Sequence, residues 1–457
     1  MPVSVRRLGL LFAVLEIAAI VTVLILKRFD GLDLEVYVGG ARALVDHGTP
    51  YDAWVPTTHG ILLPFTYTPF AAAVFLPGTI LPFALTMRLL SILSILAIGV
   101  VAYLVVAELN GALRDRTDVR GHVVAVSAAI VAQLAGAVLE PVRSTLGFGQ
   151  INALLMVAVV LDALLPGRRR TRGLLIGLAA AVKLTPAVFV LYFLLRRDFR
   201  SAARVVTGFV GAAVVMWVFA PRASAKYWTD LVFDTSRIGG ADYVGNQSLH
   251  GFVARLELGD STGNLVWLGT VALALALTAY TMLRTRASGS SVPALIACAI
   301  GGLLISPISW THHWTWCVPI LVWTGYVAVR AWRDDRPLSY WLGGITVLSV
   351  ALFVIGPMWF AVRPANSVFS WLETESYELL GLVLLITIAV VGPRAAPGAE
   401  KREGHLHGGP PHGGIRSEGG LHVQSEENSA ESLDDVLDAL REQRDVVRVD
   451  GREHPDA

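Results

Sequence analysis

Apolar residues in this chain come in blocks about as long as a bilayer is thick, ~20 residues, divided by short polar connections. Blocks at residues 8–26, 88–109, 122–139, 151–165, 205–219, 265–283, 292–304, 315–329, 338–360 and 377–391 predict spanning helices. In hydrocarbon each backbone polar group must find its partner inside the helix. Two further apolar stretches are interrupted. Residues 173–195 carry Lys183 and Pro186 at their middle, and residues 66–83 carry Pro69, Pro77 and Pro82. Proline removes a donor and breaks the helical ladder, so both stretches predict re-entrant hairpins or pairs of short spans. The expected fold is all-α and polytopic, with roughly ten to twelve transmembrane helices including broken or re-entrant segments.

Arginine placement orients these blocks. Arg-rich connections at 114–120, 168–172, 196–204, 284–286 and 330–336 belong on the cytoplasmic side. They share that side only if both interrupted stretches return, and both termini then lie in the cytoplasm. The segments left outside are 27–67, 140–152, the turn at 183–186, 221–264, 306–314 and 361–376, which hold most of the polar residues unusual for a membrane protein. Ionisable groups at membrane level are costly and serve function by default. The first block follows Arg6 and Arg7 as a signal peptide would, but it is long for one and lacks a small-x-small cleavage site, so it reads as a retained span.

Composition agrees. The 457 residues are 54% hydrophobic and 16% charged, with a mean hydropathy of +0.58, outside the soluble range. A net charge of +1 with basic residues bunched in short loops leaves no nucleic-acid footprint. Cys298 and Cys317 both lie inside apolar blocks, which favours buried thiols over a disulfide or a zinc site. A membrane domain at 1–391 gives way to a Gly-, His- and acid-rich segment, 392–457, expected to be a disordered cytoplasmic tail. Within it, 432–443 has the spacing of a short amphipathic helix, and the histidines of 405–412 read as a low-complexity spacer.

The outer segments carry the candidate chemistry. Asp33 and Tyr37 stand one helical turn apart, so the carboxylate is placed to take a proton from an attacking hydroxyl, with a solvated loop acid as the plain alternative. EPVRSTLGFGQIN supplies Arg143 as a phosphate donor and Gln150 and Asn152 as partners for sugar hydroxyls, or else a structural turn with an internal Glu140–Arg143 pair. Lys183 sits at a proline break far from the cytoplasmic arginines. A fixed ammonium beside a freed helix end suits a phosphate, against snorkelling to the interface. Asn246, Gln247 and Ser248 form a formal glycosylation sequon that reads better as ligand contacts or loop packing. SPISWTHHWTW gathers Trp310, His312 and His313. These rings and imidazoles are suited to a sugar, a polyprenyl chain or a phosphate, and equally to an aromatic belt. Adjacent histidines point apart and lack a third ligand, so no metal is expected.

Taken in order, DLEVY, FTYTPF, EPVRSTLGFGQIN, VKLTP, NQS and LISPISWTHHW resemble the polyprenyl-phosphate-mannose-dependent mannosyltransferases of glycosyltransferase family 87, in the GT-C superfamily. The resemblance covers roughly residues 8–391 and not the tail. It implies an inverting transfer of mannose from a polyprenyl phosphate to a lipid-anchored mannoside (a phosphatidylinositol mannoside), in α-1,2 linkage, on the outer face of the plasma membrane, without a cofactor. It places the catalytic aspartate at Asp33 and the histidine motif at His312 and His313. Lys183, Arg143 and a histidine would then stabilise the departing phosphate, with Tyr67, Gln150, Asn152 and Asn246 as sugar or lipid contacts. Two rivals stand beside this reading: a branching α-1,2 transferase of lipomannan, and a lipid transporter or flippase, although no inverted repeat is evident.

Overall fold

The computed structural model describes residues 3–26, 30–115, 117–167, 170–287, 289–361 and 367–392. The tail beyond Gly392, with the helix expected at 432–443 and the histidine run, lies outside the described residues. Helices dominate, and the strands described form one antiparallel hairpin, Trp54–Pro56 with Leu62–Pro64.

The apolar blocks become helices close to their expected limits: Val3–Leu26, Phe83–Leu109, Val119–Gly136, Asn152–Leu164, Phe199–Phe219, Asp260–Arg284, Val292–Ile305, Cys317–Arg333, Leu338–Ile355 and Ser376–Val391. By length and apolarity five of the described helices can cross a membrane, or up to seven if each of two bent pairs is one span. Against the ten to twelve expected, the difference lies in helices that are apolar but short, such as Val292–Ile305 with 14 residues. Phe83–Leu109 runs through the middle of the bundle, its apolar window 67% buried, whereas the window of Asp260–Arg284 is 22% buried and faces outward.

Residues 173–195 do rise and return. Helix Leu174–Val182 ends at Lys183, whose backbone is extended (φ −142°, ψ 128°), and the chain resumes as the turn Thr185–Phe189 and helix Val190–Leu195. A Cβ placed on Gly173, at the start, would lie 2.2 Å from the Ser201 carbonyl oxygen, and one on Gly177 2.3 Å from that of Val205. Both ends of the segment therefore sit at the same end of helix Phe199–Phe219, which follows after a short turn. The Asp162 carboxylate caps the rising arm, accepting from the backbone N–H groups of Gly173 (2.7 Å) and Ile176 (3.2 Å). The other interrupted stretch forms two short helices, Pro69–Val74 and Pro77–Ile80, packed against helix Leu32–His47.

Candidate active site

Three broken elements converge where the arginine rule places the outer side. The first is the start of helix Leu32–His47, where Gly31 adopts φ +72° and its N–H and that of Asp30 both donate to the Gly147 carbonyl (2.9 and 3.1 Å). The second is the corner between Glu140–Phe148 and Asn152–Leu164, bent by 116°. It turns on Gly149 (φ +70°), where a Cβ would stand 2.8 Å from Cβ of Leu34. Only glycine combines that conformation with that approach. The third is the tip of the re-entrant segment, whose last carbonyls, at Ala181 and Val182, accept from the Thr68 hydroxyl.

With the histidine loop, Thr311–Trp316, these elements bring Asp33, Tyr37, Tyr67, Gln150, Asn152, Lys183, His312 and His313 into one hydrogen-bonded network. Tyr37 donates to Oε1 of Gln150 (2.6 Å), and its hydroxyl is 2.9 Å from that of Tyr67. The Gln150 amide hydrogen-bonds the Asp33 carboxylate and lies 3.3 Å from Nε2 of His312. Lys183 Nζ donates to Oδ1 of Asn152 (2.9 Å) and is 2.9 Å from Nε2 of His313. The His312 carbonyl is held by Thr145 Oγ1 and Asn152 Nδ2, both at 2.9 Å. Burial lifts the Asp33 carboxyl to about 6, against the opposing Gln150 hydrogen bond and Lys183 charge. Burial and the same ammonium hold both imidazoles well below their ordinary range, so each is neutral.

Asp33, Tyr67, Gln150, Lys183, His312 and His313 open on a cavity of about 380 Å³, within the ~300–1,000 Å³ common for ligand sites. A second cavity, of about 600 Å³, adjoins it, and Asp33, Trp310 and His312 belong to both walls. Among the described residues no three His, Cys, Asp or Glu side chains gather as a ligand set.

Three expected site residues take other parts. Arg143 is exposed and lines neither cavity, and no ion pair joins it to Glu140 among those described. Instead the buried Glu140 carboxylate accepts from Ser144, Thr311, Trp359 and Tyr377 (2.8–3.1 Å). Asn246 and Gln247 are fully buried. Asn246 donates to the Ala241 and Pro307 carbonyls and accepts from the Ser309 N–H, while Gln247 bridges Val244 and Thr374 and accepts from the Tyr377 N–H. Both hold the histidine loop in place rather than facing a ligand, and their burial also removes the sequon from modification.

The residue missed from sequence is Arg237, which lines the first cavity 3.7 Å from Asp234. Its signal was its place in a segment that the arginine rule assigns to the outer side, where a basic residue is unusual. Of the other cations in such segments, Arg222 and Lys226 pair with Asp52, and Arg255 with Glu375 and Glu378.

Residues 65–307 match glycosyltransferase family 87. The chain is 36% identical, over 79% of its length and 84% of the relative's, to the polyprenol-phosphate-mannose-dependent alpha-(1-2)-phosphatidylinositol mannoside mannosyltransferase of Mycolicibacterium smegmatis. This chain is a member of glycosyltransferase family 87. The enzyme is also 37% identical to the like-named protein of Mycobacterium tuberculosis, over 66% of its own length and 71% of that protein. With an alpha-(1-2)-phosphatidylinositol pentamannoside mannosyltransferase of M. smegmatis, again polyprenol-phosphate-mannose-dependent, it shares 36% identity over 76% and 83% of the two lengths. No solved structure matches it. Family membership decides for a membrane glycosyltransferase and against the transporter reading.

Proposed function

We propose that this enzyme moves mannose from a polyprenyl-phosphate mannose to a hydroxyl of a lipid-anchored mannoside, making an α-1,2 bond with inversion on the outer face of the plasma membrane. The observation that carries the reading is one carboxylate and one ammonium on the same cavity, Asp33 and Lys183, each held by side chains from a second element. The names of the relatives supply the donor and acceptor classes.

In the reaction the acceptor oxygen attacks the anomeric carbon as the bond from that carbon to the phosphate oxygen breaks. Asp33 takes the proton of the attacking hydroxyl, and charge builds on the departing polyprenyl phosphate. A fixed cation stabilises that charge where it develops, which is the larger electrostatic demand. Lys183 has three N–H groups. Asn152 and His313 hold it in place and leave the ammonium facing the cavity. His312 fixes Gln150 and through it Asp33.

Membranes holding the enzyme, given labelled polyprenyl-phosphate mannose and a panel of phosphatidylinositol mannosides and lipomannan, test this directly. Label should pass to a phosphatidylinositol mannoside. Label on lipomannan alone would favour the branching transferase, and label left on the donor with every acceptor would overturn the reading.

A further inference from the structure

The two cavities that meet at Asp33 differ in chemistry. The first holds both of the cations described in their walls, Lys183 and Arg237, beside the Asp33 and Asp234 carboxylates. The second contains no Lys or Arg among its described lining residues and presents Phe148, Tyr243, Trp310 and Trp359 with the Asp242 carboxylate. An anion entering the second cavity would meet carboxylates with no cation to offset them, whereas a neutral polyol would meet what it needs. Aromatic faces carry partial negative charge and accept the C–H face of a pyranose, and a carboxylate accepts from hydroxyls.

The aromatic rings are built in. Tyr243 packs against Trp310 (5.8 Å between centroids, 67°) and against Trp359 (6.2 Å, 56°). Trp359 is anchored from behind, its Nε1 donating to the buried Glu140 (3.1 Å). Glycines clear the space: a Cβ on Gly245 would stand 2.8 Å from the Tyr243 ring and 3.1 Å from Trp359, and one on Gly239 3.1 Å from Trp310. We infer that the second cavity binds the mannosyl headgroup of the acceptor, with Tyr243, Trp359 and Asp242 as its recognition surface. The phosphate of the donor is confined to the first cavity, where Lys183 and Arg237 stand. The acceptor hydroxyl then reaches the donor carbon across the wall where Asp33 stands.

This assignment rests on the transfer reading, and binding separates the two. Tyr243 is half-exposed, so Tyr243→Ala leaves the fold intact. The binding of a short-chain phosphatidylinositol mannoside and of polyprenyl phosphate would be measured separately on purified protein, by calorimetry and without turnover. Tyr243→Ala should weaken the lipid mannoside about tenfold or more and leave polyprenyl phosphate within about twofold; Asp242→Asn should go the same way. Arg237→Gln should show the reverse split. Equal weakening of both ligands in Tyr243→Ala, or no change in either, would overturn the acceptor cavity. A wild-type enzyme that binds both ligands and transfers nothing, with the variants splitting as expected, would instead sink the transfer reading.

Discussion

Lys183 shows how much one residue type in one context tells. A lysine at a proline break in an apolar stretch is costly, and the sequence alone marks it as held there for a purpose. Its partners, Asn152 and His313, come from segments 31 and 130 residues away and could not be read from spacing. A charge-assisted contact to the donor phosphate is worth ~1.5–3 kcal/mol, so Lys183→Met should raise the apparent donor constant by roughly ten- to a hundredfold. Lys183→Arg should fall between, since a planar fork keeps the charge and loses the point geometry. A titration of both variants in nanodiscs checks this, and an unchanged constant in the methionine variant would exclude the phosphate contact. Arg143 is the converse case. Its motif placed it at the corner, but hydropathy gives depth and not rotation about a helix axis, and the side chain turns outward. Asn246 and Gln247 misled for a related reason, because polar residues in an outer loop look alike whether they bind a ligand or the loop itself.

At the scale of elements, the breaks position the chemistry. The prolines and Lys183 announced the re-entrant segment, and the arginines at both of its ends fixed its return. The tight corner at Gly149 was not legible, since a glycine between two apolar runs reads the same whether or not another helix presses on it. Gly149→Ala forces a left-handed conformation costing about 1–2 kcal/mol and a clash with Leu34, beside the residue that orients Asp33. The variant should unfold at lower temperature in detergent and lose turnover. Gly147→Ala, two residues earlier, is the control, because a Cβ there meets nothing within 4 Å. Equal behaviour of the two alanine variants would mean that the corner does not set the site.

For the whole molecule, hydrophobic blocks were enough to predict an all-α membrane protein. They were not enough to show two cavities sharing one carboxylate, because that depends on contacts between segments far apart in sequence. The account turns on Asp33 as the base. With a carboxyl lifted to about 6, transfer should fall as pH drops through that value, as the carboxylate is protonated and can no longer accept the hydroxyl proton. The most direct measurement is turnover of labelled donor by purified Asp33→Asn beside wild type across that range, with thermal unfolding as the check on folding. The account predicts a folded variant without transfer at any pH and a wild-type acid limb near 6; a folded Asp33→Asn enzyme with near-normal turnover would contradict it.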